Sequence, residues 1–290
     1  MKYRIIFNPL AGNGTGKIQV EKIREKIDGE LEFTDMTAID SYSDFFKSVA
    51  DDEKIIICGG DGTLNRFIND TDGILPEREI LYFAMGSGND FLRDIAGENC
   101  DGVIDITKYI KNLPVVKING KSSRVLNGVG YGIDGYCCEV GDELRKTTDK
   151  PLNYASIAIK GLLFHYKPTN AVITVDGVKN TFKKVWIAPI MNGRFYGGGM
   201  MPTPNQNRLN SDGTVSVMVM YGAGKIRTLM AFPGIFKGEH IKKTNMVKVF
   251  TGHNITVEFD RAVAAQIDGE TVLNVKKCAV TSNATETVNA

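Results

Sequence analysis

The chain is predicted to fold as an α/β first domain followed by a mostly β second domain, on three observations. In the first third, short apolar runs alternate with glycine turns and helix-like segments. Beyond about residue 115, strand-like runs follow one another with Asn-Gly and Asp-Gly pairs between many of them. The length of 290 residues accommodates two domains at roughly 100–200 residues each.

Taken in order, Tyr3 to Phe7 reads as a short strand, followed by a turn carrying Gly12, Gly14 and Gly16. Ile18, Ile23 and Ile27 lie among charges and mark an amphipathic helix. Glu30 to Phe33 is a weak strand, and Asp44 to Ala50 a helix. Ile55 to Cys58 is a buried strand that runs into Gly59-Gly60-Asp61-Gly62, with a helix from Thr63 to Ile68. Ile80 to Ala84 repeats the arrangement. Strand, turn and helix in repeated order predict a parallel sheet covered on both faces.

In the second part, strands are expected at Val115–Ile118, Ala171–Val175, Lys184–Ile190, Thr214–Met220, Val247–Phe250 and Ile255–Phe259. Pro151 to Tyr166 is expected as one helix. The expected domains are 1–118 and 119–280, with a polar tail at 281–290.

Composition excludes several classes. Apolar residues make up 42% and charged residues 24%, which is neither a disordered nor a fibrous balance. The run Ile55-Ile56-Ile57-Cys58 falls far short of the ~20 residues of a membrane span. No export signal is visible after Met1-Lys2. Five cysteines without a C-x-x-C pair and three scattered histidines give no disulfide framework, zinc site or Ser-His triad. The expected compartment is the cytoplasm. Residues 1–120 carry 14 Lys and Arg against 21 Asp and Glu, whereas residues 121–290 carry 21 against 13. The asymmetry suits either two mutually attracting domains or an anionic partner. Nucleic acid is disfavoured, because no base-reading motif accompanies the dispersed cations.

Two glycine loops carry the chemistry. Gly12 to Lys17 fails as a Walker A loop, because Ala11 stands where its first glycine belongs and Ile18 replaces its Ser or Thr. It remains either a plain turn or another kind of phosphate loop. Gly59-Gly60-Asp61-Gly62-Thr63 is sharper, since it joins a buried strand to a helix. Glycines there let backbone approach a phosphate, and the helix start offers unpaired N–H groups. Asp61 would repel phosphate unless a cation bridged them, which points to Mg²⁺; the alternative is a helix cap. Gly86-Ser87-Gly88-Asn89-Asp90 ends a second strand in the same way. In an open parallel sheet both loops face the crevice at the carboxyl ends of the strands, so Ser87, Asn89 and Asp90 are expected beside Asp61.

Asn8-Pro9, the run Gly59 to Asn65 and the run Gly86 to Phe91 together resemble the diacylglycerol kinase catalytic family. The likeness is greatest to its soluble bacterial lipid kinases, which are related to sphingosine and ceramide kinases. It continues through Asn127–Gly135, Gly197-Gly198-Gly199, Asp212-Gly213 and Asp268-Gly269-Glu270, nearly the whole chain. The resemblance implies a phosphofructokinase- or NAD-kinase-like α/β domain that binds ATP, a β-sandwich domain for the lipid, and an active site in the cleft between them. It assigns nucleotide binding to Gly59, Gly60, Asp61, Gly62, Thr63, Asn65 and Ser87, and Asn8, Asn89 and Asp90 are expected in the same site. An upstream nucleotide-binding threonine maps to Thr37, with Thr34 as the alternative. The proton acceptor maps to Asp268 or Glu270. A structural Mg²⁺ in the β domain would take the Asp212 side chain and the carbonyls of Leu209 and Thr214, although Asp212-Gly213 is equally good turn chemistry. The chain departs from the family in Arg66, where Glu is common, and in Ser87, where Thr is common. No clear strand follows Glu270.

The implied reaction passes the γ-phosphate of ATP to a lipid hydroxyl. Asp61 and Asp90 hold Mg²⁺ on the phosphates, and Asp268 or Glu270 takes the proton. Diacylglycerol, giving phosphatidic acid, stands first among the acceptors. A peripheral membrane contact is expected, at Leu152–Phe164 or at Leu229–Phe236 with Lys237, Lys242 and Lys243 nearby; a homodimer is left open. The competing readings are a kinase of a soluble substrate, such as an NAD kinase relative, and a catalytically silent nucleotide-binding regulator.

Overall fold

Five strands build the first sheet: β1 (Lys2–Phe7), β2 (Glu30–Asp35), β3 (Glu53–Gly59), β4 (Ile80–Ala84) and β5 (Ile104–Asp105). Their order is β2-β1-β3-β4-β5; the first four are parallel and β5 runs antiparallel to β4. β3 is central, and Ile55, Ile56, Ile57 and Cys58 are fully buried, which is why that run shows no polar alternation. The computed structural model describes residues 1–86, 88–98, 100–148 and 152–282, and residue 13 by its backbone alone.

Helices α1 (Ala11–Gly14), α2 (Gly16–Val20), α3 (Tyr42–Ser48), α4 (Asp61–Asp70), α5 (Asp90–Ala96) and α6 (Thr107–Ile110) lie among these strands. The amphipathic helix expected over Ile18–Ile27 is instead α2 followed by a 3₁₀ segment at Glu21–Glu25. Three residues per turn bring Val20 and Ile23 onto one face, where both are buried, and Ile18 is left 75% exposed. Val20 and Ile23 pack with Ile5, Phe7, Ile56, Cys58 and Phe83 in one core.

The chain divides into two units between Asn112 and Leu113. This is earlier than residue 118, because β6 (Val115–Ile118) pairs with strands of the second unit.

That unit continues with β7 (Lys121–Arg124), β8 (Gly128–Tyr131), α7 (Ile133–Arg145), α8 (Tyr154–Lys160), β9 (Thr169–Val175), β10 (Val178–Val185) and β11 (Ile190–Met191). It closes with β12 (Val215–Met220), α9 (Lys225–Ala231), β13 (Val247–Gly252), β14 (Asn254–Ile267) and β15 (Glu270–Thr281). The strands are antiparallel in the order β13-β12-β11-β8-β14-β15-β6-β7, with β9 on β14 and β10 on β9. β14 is the hinge of this arrangement. Ile255–Phe259 pairs with β9, Ala265–Ile267 pairs with β8, and the register against β15 shifts between the two stretches. The sheet thereby becomes a β-sandwich around Val129, Tyr131, Ile173, Val217, Val257 and Phe259.

Several expectations are corrected here. The run Lys184–Ile190 is not one strand: β10 stops at Val185, Lys184 has a left-handed backbone (φ 54°), Ile187 makes only isolated bridges to Gly132 and Met220, and a ladder resumes at β11. The helix expected over Pro151–Tyr166 is α8 followed by a π-helical turn, Gly161–His165; Pro151 lies outside the described residues. Helix α7 was not expected. Its buried positions Ile133, Cys137 and Gly141 keep a spacing of four, but glycine and cysteine hide it. The segment after Glu270 is the twelve-residue strand β15, and of the expected tail Thr281 closes that strand while residues 283–290 lie outside the described residues. Among the described residues no helix is long and apolar enough to cross a membrane.

Candidate active site

Parallel strands of one sheet end at one edge. Asn8 follows β1, the short 3₁₀ turn Met36–Ala38 follows β2, Gly60 follows β3, and Met85 and Gly86 follow β4. The expected nucleotide residues therefore gather at the carboxyl edge, around the point where strand order reverses between β1 and β3. Asn8 folds its own loop: its Oδ1 accepts the Leu10 N–H at 3.0 Å. Thr37 donates its N–H and its hydroxyl to Asp35 Oδ1, at 2.8 and 2.7 Å, while Thr34 stays within β2. Ser87 lies outside the described residues.

The two glycine loops touch through backbone. A Cβ on Gly86 would stand 2.7 Å from Gly60 Cα, too close without a backbone shift, and one on Gly60 would stand a tight 3.1 Å from Gly86 Cα. Gly59 accepts the Met85 N–H at 2.8 Å and the buried Tyr82 hydroxyl at 2.9 Å, which ties the ends of β3 and β4 together.

Asp61 makes the second tie. It does not cap its own helix; its Oδ2 accepts the Asp90 N–H at 2.7 Å and its Oδ1 the Phe91 N–H at 3.2 Å. Asn89 precedes α5 with a left-handed backbone (φ 42°) that turns these N–H groups toward Asp61. Asp90 is buried and lies 3.7 Å from Arg93. Gly62, Thr63 and Asn65 follow on the first turns of α4, where Thr63 is buried. Arg66 pairs with Asp70 at 3.3 Å on the helix surface. Asp61 and Asp90 stand on adjoining loops, joined through the Asp90 N–H, and carboxylate oxygens are the hard donors that Mg²⁺ takes together with phosphate oxygens. Among the described residues no group of three or more His, Cys, Asp or Glu forms a metal cluster.

In the second unit, Asp268 and Gly269 form the two-residue turn between β14 and β15, with φ of 46° and 96°. The Asp268 carboxylate accepts three backbone N–H groups: Leu126 at 2.6 Å, Asn127 at 2.7 Å and Gly128 at 3.0 Å. Glu270 follows at the start of β15 and is exposed. The two candidate acids thus differ, one binding the backbone before β8 and the other projecting at the surface.

Sequence reasoning missed what lies behind this turn. Gln266 is buried; its Oε1 accepts the Gly269 N–H at 2.6 Å and its Nε2 donates to Asp134 Oδ2 at 3.0 Å. Burial pushes the Asp134 carboxyl up to about 6, against the opposing effects of Gln266 and Tyr196. Gly130 makes room for the pair, since a Cβ there would overlap Asp134 Oδ2. The available signal was an acid in the otherwise uncharged run Gly128–Tyr136.

The expected metal loop at Leu209, Asp212 and Thr214 does not fit an ion. The Thr214 carbonyl already accepts Gln206 Nε2 at 2.8 Å and Asn210 Nδ2 at 2.9 Å, which uses both of its lone pairs. Asn210 Oδ1 accepts the Thr214 N–H at 2.9 Å, and Leu209 donates its N–H to Asn207 Oδ1 at 3.0 Å. Asp212 is exposed and accepts a weak contact from the Ser211 hydroxyl, at 3.3 Å. Amide side chains close this loop.

Residues 2–118 match the model of the diacylglycerol kinase catalytic domain, and residues 127–283 match that of the YegS C-terminal NAD kinase beta sandwich-like domain. A Bacillus subtilis (strain 168) protein, provisionally named lipid kinase YtlR, is 26% identical over 91% of this chain and 92% of its own. A protein of Mycobacterium tuberculosis (strain CDC 1551 / Oshkosh) named diacylglycerol kinase is 25% identical over 66% of this chain and 62% of its own. The crystal structure of a diacylglycerol kinase from Bacillus anthracis str. Sterne superposes with a TM-score of 0.64 at 21% identity, covering 97% of this chain and 93% of the other. That likeness shows a shared fold.

Proposed function

Because the chain belongs to the family that joins a diacylglycerol kinase catalytic domain to a YegS-type C-terminal β-sandwich domain, we propose that it is an ATP- and Mg²⁺-dependent lipid kinase. Its acceptor is the hydroxyl of a lipid alcohol presented at a bilayer surface, diacylglycerol first among the candidates. The observation that carries the reading is the pair of hydrogen bonds from Asp90 and Phe91 to Asp61, which joins the two glycine loops at one edge of the sheet.

Phosphoryl transfer is mostly positioning and neutralisation of charge. Backbone N–H groups at the start of α4 and the glycines at 59, 60 and 86 receive the nucleotide phosphates, with Asn8 and Thr37 beside them at the same edge. Asp61 and Asp90 would hold Mg²⁺, which supplies positive charge against the β- and γ-phosphates when bound. Glu270 takes the proton of the lipid hydroxyl as its oxygen forms the new bond to the γ-phosphorus and the bond to the ADP oxygen breaks. A carboxylate is a weak base for an alcohol, so this proton moves late, when the attacking oxygen has become acidic. Asp268 shapes the turn that presents Glu270.

The test is nucleotide binding by the wild type and by Glu270→Gln, together with formation of phosphatidic acid from diacylglycerol in mixed micelles. The reading expects unchanged ATP-Mg²⁺ affinity and lost product in the variant. A wild type that binds no ATP would end it.

A further inference from the structure

Helix α8, its π-helical turn and helix α9 belong to one element of the second unit. Ile157, Ala158 and Leu162 share a buried core with Ala231 and Ile235. Lys225, at the start of α9, donates its ammonium to the Leu163 carbonyl at 2.6 Å. The neighbours of those two bonded residues are Phe164 and Ile226, which are 72% and 71% exposed. Met230, one helical turn beyond Ile226, is 70% exposed, and Ile159 on α8 is 45% exposed. Four large apolar side chains thus stand in water on elements whose opposite faces are already packed. Single exposed apolar residues are ordinary, but a cluster carried on two joined helical elements marks an interaction surface.

The charges beside it decide the partner. Residues 152–168 and 222–238 contain Lys160, Lys167, Lys225, Arg227 and Lys237 and no Asp or Glu. Large apolar tips among cations, with no acid in either segment, complement the interface of an anionic bilayer: the rings and alkyl chains enter the headgroup boundary and the ammonium and guanidinium groups meet lipid phosphates.

We propose that Phe164, Ile226 and Met230 form the membrane-docking surface of this protein, with Lys160 and Arg227 as its electrostatic anchors. This rests on the lipid-kinase reading for its purpose, but its test needs neither nucleotide nor turnover. The two runs that sequence offers as separate candidates become one surface, and the Lys225 bond to Leu163 joins them.

The experiment is co-sedimentation with vesicles of phosphatidylcholine containing phosphatidylglycerol, and with phosphatidylcholine alone. The wild type binds the anionic vesicles at least about tenfold more strongly, and binding weakens as salt rises from about 0.1 to about 0.5 M. Phe164→Ser/Ile226→Ser/Met230→Ser, all at exposed positions, lowers binding at least about tenfold with unchanged melting temperature and unchanged ATP affinity. Lys160→Glu/Arg227→Glu removes the preference for phosphatidylglycerol. Wild-type levels of binding by the triple variant, or binding indifferent to salt and lipid charge, would overturn the proposal. So would a dimer that the triple variant dissolves, which would assign the surface to a second copy of the chain. Failure of the kinase reading appears separately, as absence of phosphoryl transfer to any alcohol by a protein that still binds vesicles.

Discussion

Asp61 accepts the backbone N–H of Asp90 at 2.7 Å, so an acid in the first turn of α4 caps the neighbouring helix α5. The proposed magnesium role needs the charge of the same carboxylate, and stability measured beside turnover separates the two roles. Asp61→Asn keeps an oxygen for one N–H, turns its NH₂ toward the other and removes the charge. Its stability should fall by about 1–2 kcal/mol, and phosphoryl transfer at least about 100-fold. Asp61→Ala should lose about 1–2 kcal/mol as well. Denaturant melts beside turnover measurements check this; full turnover in Asp61→Asn would leave only the cap.

The two late acids should separate in the same manner. Asp268→Asn sets an NH₂ group against backbone N–H groups that now have acceptors, and should cost on the order of 3 kcal/mol. Glu270→Gln, at an exposed position, should change stability by less than about 0.5 kcal/mol and lower turnover at least about 100-fold. Equal melting temperatures for the two variants would contradict this division of labour.

Asp134 gives the protein a pH signature. Its carboxyl is raised to about 6, so between about pH 4 and about pH 6 the native state holds a proton that the unfolded chain has released. The contribution to stability is therefore complete at low pH and is lost as pH rises through about 6. Asp134→Asn still accepts from Gln266 without charge. It should gain up to about 3 kcal/mol above pH 6 and nothing near pH 4. Melting temperatures of both proteins across that range decide it, and parallel curves would remove Asp134 from the account.

The amide-closed loop should be indifferent to metal. A chelator should leave the melting temperature of the nucleotide-free protein unchanged, and Asn210→Ala should cost about 1–3 kcal/mol, because the four hydrogen bonds of its side chain disappear. A melting temperature lowered by chelation and restored by Mg²⁺ would place an ion there after all.

The parallel sheet and its two glycine loops were legible because strand, glycine and helix starts are local signals, as in Ile55 to Thr63. What joins those loops was not, since nothing local to Asp61 announces an acceptor for N–H groups 29 and 30 residues away. The same distance problem hid Asp268, whose partners lie 140 to 142 residues earlier. Asp268-Gly269 was read for its acid, although the pair also has the chemistry of a tight hairpin turn. Ile18 falls off the buried face because α2 ends at Val20 and the chain tightens to 3₁₀ over Glu21–Glu25, which a single 3.6-residue period over Ile18–Ile27 does not show. Thr214 and Asp212 matched a metal loop by residue type, and only the geometry reveals that Gln206 and Asn210 occupy the carbonyl.

The central claim is that the joined glycine loops serve transfer of phosphate to a lipid. Its most direct measurement is transfer of labelled γ-phosphate from ATP-Mg²⁺ to a panel of lipid alcohols in mixed micelles, with Glu270→Gln as the inactive control and NAD as the soluble competitor. The account predicts a labelled lipid, phosphatidic acid from diacylglycerol first among the products, that disappears in the variant. Label on NAD alone, or on no acceptor while ATP still binds, would contradict it.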